Sequence, residues 1–284
     1  MVLPSLPRVS DTALYPDAAT VAATVGALRR DGFAVVEGLF ARADLCAVER
    51  MLDDAFEAAA QIPAARRFVV RYPAGDRADG GADGVGTGWD QLELNHATAL
   101  VPALLETKVF QGCATLARAL AGPVTRSFDH VIYKGPRNRT PTPWHQDAAF
   151  KLWRGSQPRQ LHFWIPLQDV TQESGCMEFI AGSHRAPLLH HRRMLRSSGL
   201  PGREASPDTP DSIPCPLALG GLTIHTPTTL HCAGANASTV PRKAWILQFA
   251  PWGNARLAVK RLAGAVPRPL PQQGTVNPHA APRP

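Results

Sequence analysis

The chain has 284 residues, 44% of them hydrophobic and 19% charged, enough for a sizeable buried core without disulfide staples. It contains no run near the roughly 18 apolar residues of a bilayer span and no apolar secretory leader in residues 1–17. Its five cysteines form no C-x-x-C pair, so the expectation is a soluble, cytoplasmic protein with reduced thiols. The net charge of +7 comes from the C-terminal part, with 21 basic and 9 acidic side chains after residue 100 against 9 and 14 before it. No recognition motif, basic helix or aromatic ladder accompanies that charge. This argues against a nucleic-acid partner and leaves an anionic small molecule or a solvated arginine-rich face.

With 23 glycines and 27 prolines the chain favours turns over long helices. Apolar residues at helical spacing, closed by Arg29, Arg30 and Gly32, predict a helix over 18–31, and FAVVEGLF reads as a strand over 33–40. A second amphipathic helix is expected at 42–61 and a strand at 66–73. Six glycines and three aspartates between Gly75 and Gly88 miss the alternate spacing of a calcium loop and read as a mobile loop. One or two helices follow at 97–121. After Gly122 short β-rich runs recur at 124–135, 159–170, 176–182, 222–226 and 242–250, as in an antiparallel sandwich or barrel. The segment 185–203, with five arginines and no acid, reads as a long insertion, and six prolines mark the last twenty residues as a disordered tail. The expected organisation is one mainly β domain over 1–264. Its helical N-terminal part is 1–122, its jelly-roll core is 123–253, and the tail is 265–284.

The stretch Thr142-Pro143-Trp144-His145-Gln146-Asp147 carries the clearest chemistry. On a strand, side chains two apart face the same way, so His145 and Asp147 would aim an imidazole and a carboxylate at one point. With one distant histidine such a pair makes the facial triad of non-haem iron(II) oxygenases. His225 and His231, six residues apart, are the candidates for the third position. Arg242 opens a strand-like run eleven residues after His231, where an inward guanidinium could grip the far carboxylate of a 2-oxo acid. Taken singly, H-x-D also describes a surface strand pair, and Arg242 an ordinary strand-end charge.

Taken together, these motifs resemble the phytanoyl-CoA dioxygenase (PhyH-like) family of iron(II)- and 2-oxoglutarate-dependent oxygenases. The resemblance runs from about Asp129 to Phe249 and is weaker before it. It rests on Tyr133-Lys134-Gly135-Pro136, Trp144 to Asp147, Trp164 to Val170, Glu173 to Met177, Ile180 to His184, His231 to Asn236, and Pro241-Arg242. It implies a double-stranded β-helix fold, iron(II) held by His145, Asp147 and His231, and Arg242 paired with the distal carboxylate of 2-oxoglutarate. His231 is preferred to His225 because its spacing to Arg242 matches the family. Trp164 and His130 fall at further co-substrate-contacting positions. Where the family often has a hydroxyl residue, two past the distal histidine, this chain has Ala233. Thr226, Thr228 and Thr229 are the hydroxyls that could replace it.

The resemblance further implies an enzyme that consumes 2-oxoglutarate and O₂ and releases succinate and CO₂, with hydroxylation of a C–H bond as the default outcome. Desaturation, epoxidation and cyclisation use the same centre, whereas Asp147 argues against halogenation. A non-catalytic binding module and a cupin-type metal enzyme without 2-oxoglutarate are the alternatives from other classes. A small-molecule substrate and a monomer or homodimer are expected, with no membrane partner. Among the remaining histidines, His184 reads as part of a tight turn and His162 as a packed or supporting strand residue. His190 and His191 read as solvent-facing or on a lid. Residues 75–88 and 185–203 are both expected as irregular loops flanking the barrel mouth.

Overall fold

The computed structural model describes residues 16–60, 69–73, 89–138, 140–150, 160–195, 201–205 and 211–251. Helix α1 (Ala18–Asp31) starts where the Asp17 carboxylate accepts the Thr20 N–H at 2.6 Å and ends where Gly32, at φ 85°, donates its N–H to Leu28 O. Strand β1 (Phe33–Val36) and helix α2 (Arg42–Ala60) follow, then β2 (Val69–Pro73), β3 (Trp89–Asn95), α3 (Ala97–Leu100) and α4 (Lys108–Ala121). The core strands are β4 (Val124–Lys134), β5 (Thr142–His145), β6 (Leu161–Pro166) and β7 (Met177–Phe179). They continue as β8 (Arg192–Leu195), β9 (Pro201–Glu204), β10 (Ile213–Cys215), β11 (Leu222–His225), β12 (His231–Ala233) and β13 (Arg242–Pro251).

Seven strands form the major sheet in the order β1-β11-β6-β13-β4-β3-β2, and four form the minor sheet in the order β10-β7-β12-β5. Alternation along the major-sheet strands sends Val131, Tyr133, Phe163, Ile165, Trp245 and Leu247 to one face. There they pack with Leu52 and Phe56 of α2 and Phe110 of α4. The opposite residues, Trp164, Ala244 and Ile246, meet Met177 and Phe179 of β7 and Ala233 of β12 from the minor sheet. Both faces of β6 are therefore buried, which accounts for its run of apolar side chains. A half-buried ion pair set also fastens α2 to the sheet. Lys243 Nζ lies 3.0 Å from Glu49 Oε1 and 2.6 Å from Asp53 Oδ1, and these carboxylates raise its ammonium pKa against the opposing effect of burial.

The architecture is the expected mainly β jelly roll with N-terminal helices, and several local expectations are corrected. Strand β1 stops at Val36 rather than running to residue 40, because Phe40 turns away to hydrogen-bond Gly220 O. The N-terminal part also carries β3, a strand not expected from the sequence, and β1, β2 and β3 all join the major sheet. The segment 185–203 is not wholly irregular: β8 and β9 pair as an antiparallel ribbon, from Arg192 opposite Glu204 to Leu195 opposite Pro201. Residues 75–88 and 265–284 lie outside the described residues.

One turn requires glycine for two reasons. Gly175 has φ 79°, and a Cβ there would run into the carbonyl oxygens of Gly234 and of Ala235, the latter at 2.7 Å. This contact seats the Thr171–Gly175 turn on the chain leaving β12, whose Gly234 O also accepts the buried Lys134 Nζ at 2.9 Å. Gly175→Ala is expected to lower stability by about 1–3 kcal/mol in equilibrium urea unfolding. A midpoint and slope equal to those of the wild type would contradict the close approach.

Candidate metal centre

Strand β5 ends at His145, and Asp147 opens a 3-10 turn, Asp147–Phe150. The two residues therefore do not share a strand face, and the expected alternation is corrected. They converge because the backbone turns at Gln146, which is pinned on three sides. Its N–H donates to His191 Nε2 at 3.0 Å, its Nε2 donates to Thr228 O at 2.7 Å, and its Oε1 accepts the Leu189 N–H at 3.0 Å. Just beyond, the Ala148 N–H donates to Pro227 O at 2.9 Å.

Opposite this turn, β12 places His231 directly across from His145. In both residues Nδ1–H donates to a backbone carbonyl two positions upstream: His145 to Pro143 O at 2.8 Å and His231 to Thr229 O at 2.9 Å. Each ring is thus fixed in the tautomer that leaves Nε2 unprotonated. These Nε2 atoms lie 3.5 Å from Asp147 Oδ1 and 3.7 Å from Oδ2, and one donor atom from each residue falls within a 4.8 Å cluster. Two nitrogens and one carboxylate at this spacing have the chemistry of an iron(II) facial set.

Two further imidazoles reach the same carboxylate from the major sheet. His162 Nδ1 lies 2.6 Å and His225 Nε2 3.2 Å from Asp147 Oδ2, and the two residues are register partners across β6 and β11. His225 and His231 therefore sit on facing sheets, not on adjacent strands of one sheet, and both approach Asp147. Desolvation would raise the Asp147 carboxyl, but the imidazoles around it, His162 foremost, hold it well below the usual carboxylate range. Burial, reinforced by crowding from His145 and His225, pushes His231 well below the ordinary histidine value, so this ring is neutral and able to bind a cation.

Arg242, at the start of β13, is 1% exposed, and all three of its guanidinium nitrogens lack a hydrogen-bond partner among the described residues. Its guanidinium carbon lies 5.5 Å from the Trp164 ring centre, and burial lowers its pKa to about 10. A buried guanidinium without a counter-charge is strongly unfavourable, so this position fits an anion that arrives from outside the chain. His130 occupies the same face two strands from Trp164, with Ile246 between them in register. Its buried Nδ1 also lacks a hydrogen-bond partner, and burial lowers its pKa.

The threonines considered as substitutes for Ala233 are used elsewhere. Thr229 Oγ1 donates to Gly32 O at 2.7 Å, Thr228 Oγ1 donates to His184 O at 3.3 Å, and Thr226 Oγ1 contacts both of those hydroxyls. His184 lies in a short turn after Gly182, as expected, with its ring against Gly32. His190 is exposed, but His191 is buried and accepts the Gln146 N–H, so its expected solvent-facing position is corrected. Sequence reasoning missed this role because nothing in a run of arginines marks a partner 45 residues upstream.

The profile of the phytanoyl-CoA dioxygenase (PhyH) family matches residues 28–244, and the chain belongs to that family. It is 33% identical over 108 residues to phytanoyl-CoA dioxygenase domain-containing protein 1 of Danio rerio, an alignment covering 36% of each chain. It is 32% identical over 133 residues to L-proline trans-4-hydroxylase of Streptomyces griseoviridis, covering 42% of this chain and 47% of that protein. These alignments span less than half the length of the curated relatives. Among solved structures, EvdO2 from Micromonospora carbonacea var. aurantiaca complexed with 2-oxoglutarate superposes with a TM-score of 0.62 at 27% identity, over 80% of this chain and 89% of that one. No helix among the described residues is long and apolar enough to cross a membrane.

Gln146→Ala removes both side-chain hydrogen bonds of the turn and leaves the Leu189 N–H and Thr228 O without those partners. The expected cost is about 1–3 kcal/mol for each buried group left unpaired, with faster amide hydrogen exchange at Leu189 and His191. Unchanged exchange at these two amides would show that Gln146 does not anchor the segment.

Proposed function

We propose that this member of the phytanoyl-CoA dioxygenase family is an iron(II)- and 2-oxoglutarate-dependent oxygenase that hydroxylates an unactivated C–H bond of a small anionic metabolite. The observation that carries this reading is Arg242, a buried cation without a hydrogen-bond partner among the described residues, on the sheet face that also presents His162 toward Asp147. In this reading His145 and His231 offer Nε2 and Asp147 offers a carboxylate oxygen to iron(II). Arg242 neutralises the distal carboxylate of 2-oxoglutarate, with Trp164 alongside it and His130 nearby. Iron(II), when bound, supplies O₂ activation coupled to oxidative decarboxylation of 2-oxoglutarate to succinate and CO₂.

The protein's own contribution is preorganisation. Pro143 O and Thr229 O hold the two imidazoles in one tautomer, and Gln146 fixes the turn between His145 and Asp147, so no ligand need reorient on loading. Burial of Arg242 between the sheets strengthens its attraction for an anion. An anionic substrate is supported by residues 185–203. This segment carries five arginines and no acid, and its Leu189 and His191 are tied to Gln146 between two of the proposed ligands. Hydroxylation is supported by the relative named as a proline hydroxylase. A binding module or a cupin-type enzyme without 2-oxoglutarate would leave the Arg242 charge without an anion.

O₂ uptake should require both iron(II) and 2-oxoglutarate and yield one succinate per O₂; uptake indifferent to 2-oxoglutarate would refute the reading. Arg242→Ala deletes one side of a buried ion pair, a loss of roughly 3–5 kcal/mol. The Michaelis constant for 2-oxoglutarate is therefore expected to rise by about two orders of magnitude or more. An unchanged constant removes Arg242 from the co-substrate site. Asp147→Ala should abolish oxidation while leaving near-UV circular dichroism intact, and a variant keeping most of the wild-type turnover contradicts the ligand assignment. Mass spectrometry of a metabolite pool incubated with the loaded enzyme identifies the substrate and tests its charge.

A further inference from the structure

Four imidazoles surround Asp147, two more than the proposed ligand set uses. The extra pair, His162 and His225, is 3% exposed at each residue and lies with Asp147 in a second group of three possible metal donors. Two uses are open to such a pair: a second metal position, or control of the carboxylate that the first one shares.

The hydrogen-bond pattern separates these uses. A neutral imidazole has one N–H and one lone pair. His145 and His231 spend their N–H on backbone carbonyls and keep Nε2 for a cation. His162 and His225 do the reverse: the nitrogen facing Asp147 is within hydrogen-bond distance of Oδ2, and the other nitrogen, Nε2 of His162 and Nδ1 of His225, has no hydrogen-bond partner among the described residues. The lone pairs of this second pair therefore point away from the carboxylate. Distance supports the same conclusion. Two donors held at about 2.1 Å on neighbouring octahedral positions sit about 3.0 Å apart. His162 Nδ1 and Asp147 Oδ2, at 2.6 Å, are at the length of a charge-assisted N–H···O bond. His145 Nε2, 3.5 Å from Oδ1, and His231 Nε2, 3.7 Å from Oδ2, are spaced widely enough to leave room for an ion.

We propose that His162 and His225 are positioning residues that jointly donate to Oδ2 of Asp147, so that this carboxylate meets a single metal ion through Oδ1 alone. The inference rests on the ligand assignment above. Its consequence is a centre that holds one metal per chain and keeps the carboxylate from chelating through both oxygens. That leaves one coordination position more than a two-oxygen carboxylate would. The register of His225 opposite His162 is what lets two strands of the major sheet address one oxygen atom.

The two rings use different nitrogens, which makes the test specific. An asparagine amide can take the place of an imidazole Nδ1–H, and a glutamine amide that of Nε2–H. Cobalt(II), titrated anaerobically and followed by its visible spectrum and by equilibrium dialysis, serves as the probe. Wild type should bind one cobalt per chain. His162→Phe and His225→Phe should weaken binding about 10- to 100-fold and alter the spectrum. His162→Asn and His225→Gln should restore affinity and spectrum, whereas the exchanged pair, His162→Gln and His225→Asn, should not. This isosteric comparison still decides the matter if a phenylalanine variant fails to fold. Two cobalt ions per wild-type chain, unchanged binding in His162→Phe, or equal behaviour of the asparagine and glutamine variants would each overturn the proposal. His145→Ala separates its failure from that of the ligand assignment, because wild-type binding in that variant contradicts the assignment itself.

Discussion

The contact on which the site depends is the one between Asp147 and the imidazoles that converge on it from both sheets. His145 and His231 come from the minor sheet, and His162 and His225 come from the major one. A carboxylate in this position stays ionised because the neighbouring imidazoles, His162 foremost, hold its pKa down against the opposing effect of desolvation. The same crowding keeps His231 neutral. Charge and lone pairs are thus set by the closure of the two sheets, and the apolar layer of Trp164, Phe179, Ala244 and Ile246 holds that closure in place.

Arg242 is the electrostatic counterpart of this cluster. Its burial without a partner among the described residues is a cost that is recovered when an anion binds. Helix α2 is fastened to the next residue, Lys243, through Glu49 and Asp53, so the strand that presents Arg242 is held from the helical face as well. Neighbouring residues of β13 thus divide the work, one facing the inter-sheet layer and the other the helices.

Much of this was legible in the sequence, for identifiable reasons. The jelly-roll core showed as short apolar runs separated by turns, and Arg242 showed as a charge opening a run that had to be buried. H-x-D drew attention to two residues that the fold brings together with His231, through an argument that fails in detail. Period-two alternation does not register a backbone turn, and the turn at Gln146 is imposed by bonds to residues 43, 45 and 82 positions away. His162 was readable as an inward strand position, two before Trp164, but its partner Asp147 lies in the turn that follows β5. Strand β3 was missed beside a glycine-rich stretch, and β10 and β12, three residues each, are too short to show a period. The ribbon of β8 and β9 was hidden under an arginine count that suggested only a solvated loop.

The central claim, that one centre binds a metal and a dicarboxylate together, is tested most directly by anaerobic calorimetric titration of 2-oxoglutarate into the protein, with and without iron(II). The account predicts saturable one-to-one binding that is markedly tighter when iron(II) is present, because the co-substrate then engages Arg242 at one end and the metal at the other. Binding of equal strength with and without iron(II), or no binding to the iron-loaded protein, would contradict it.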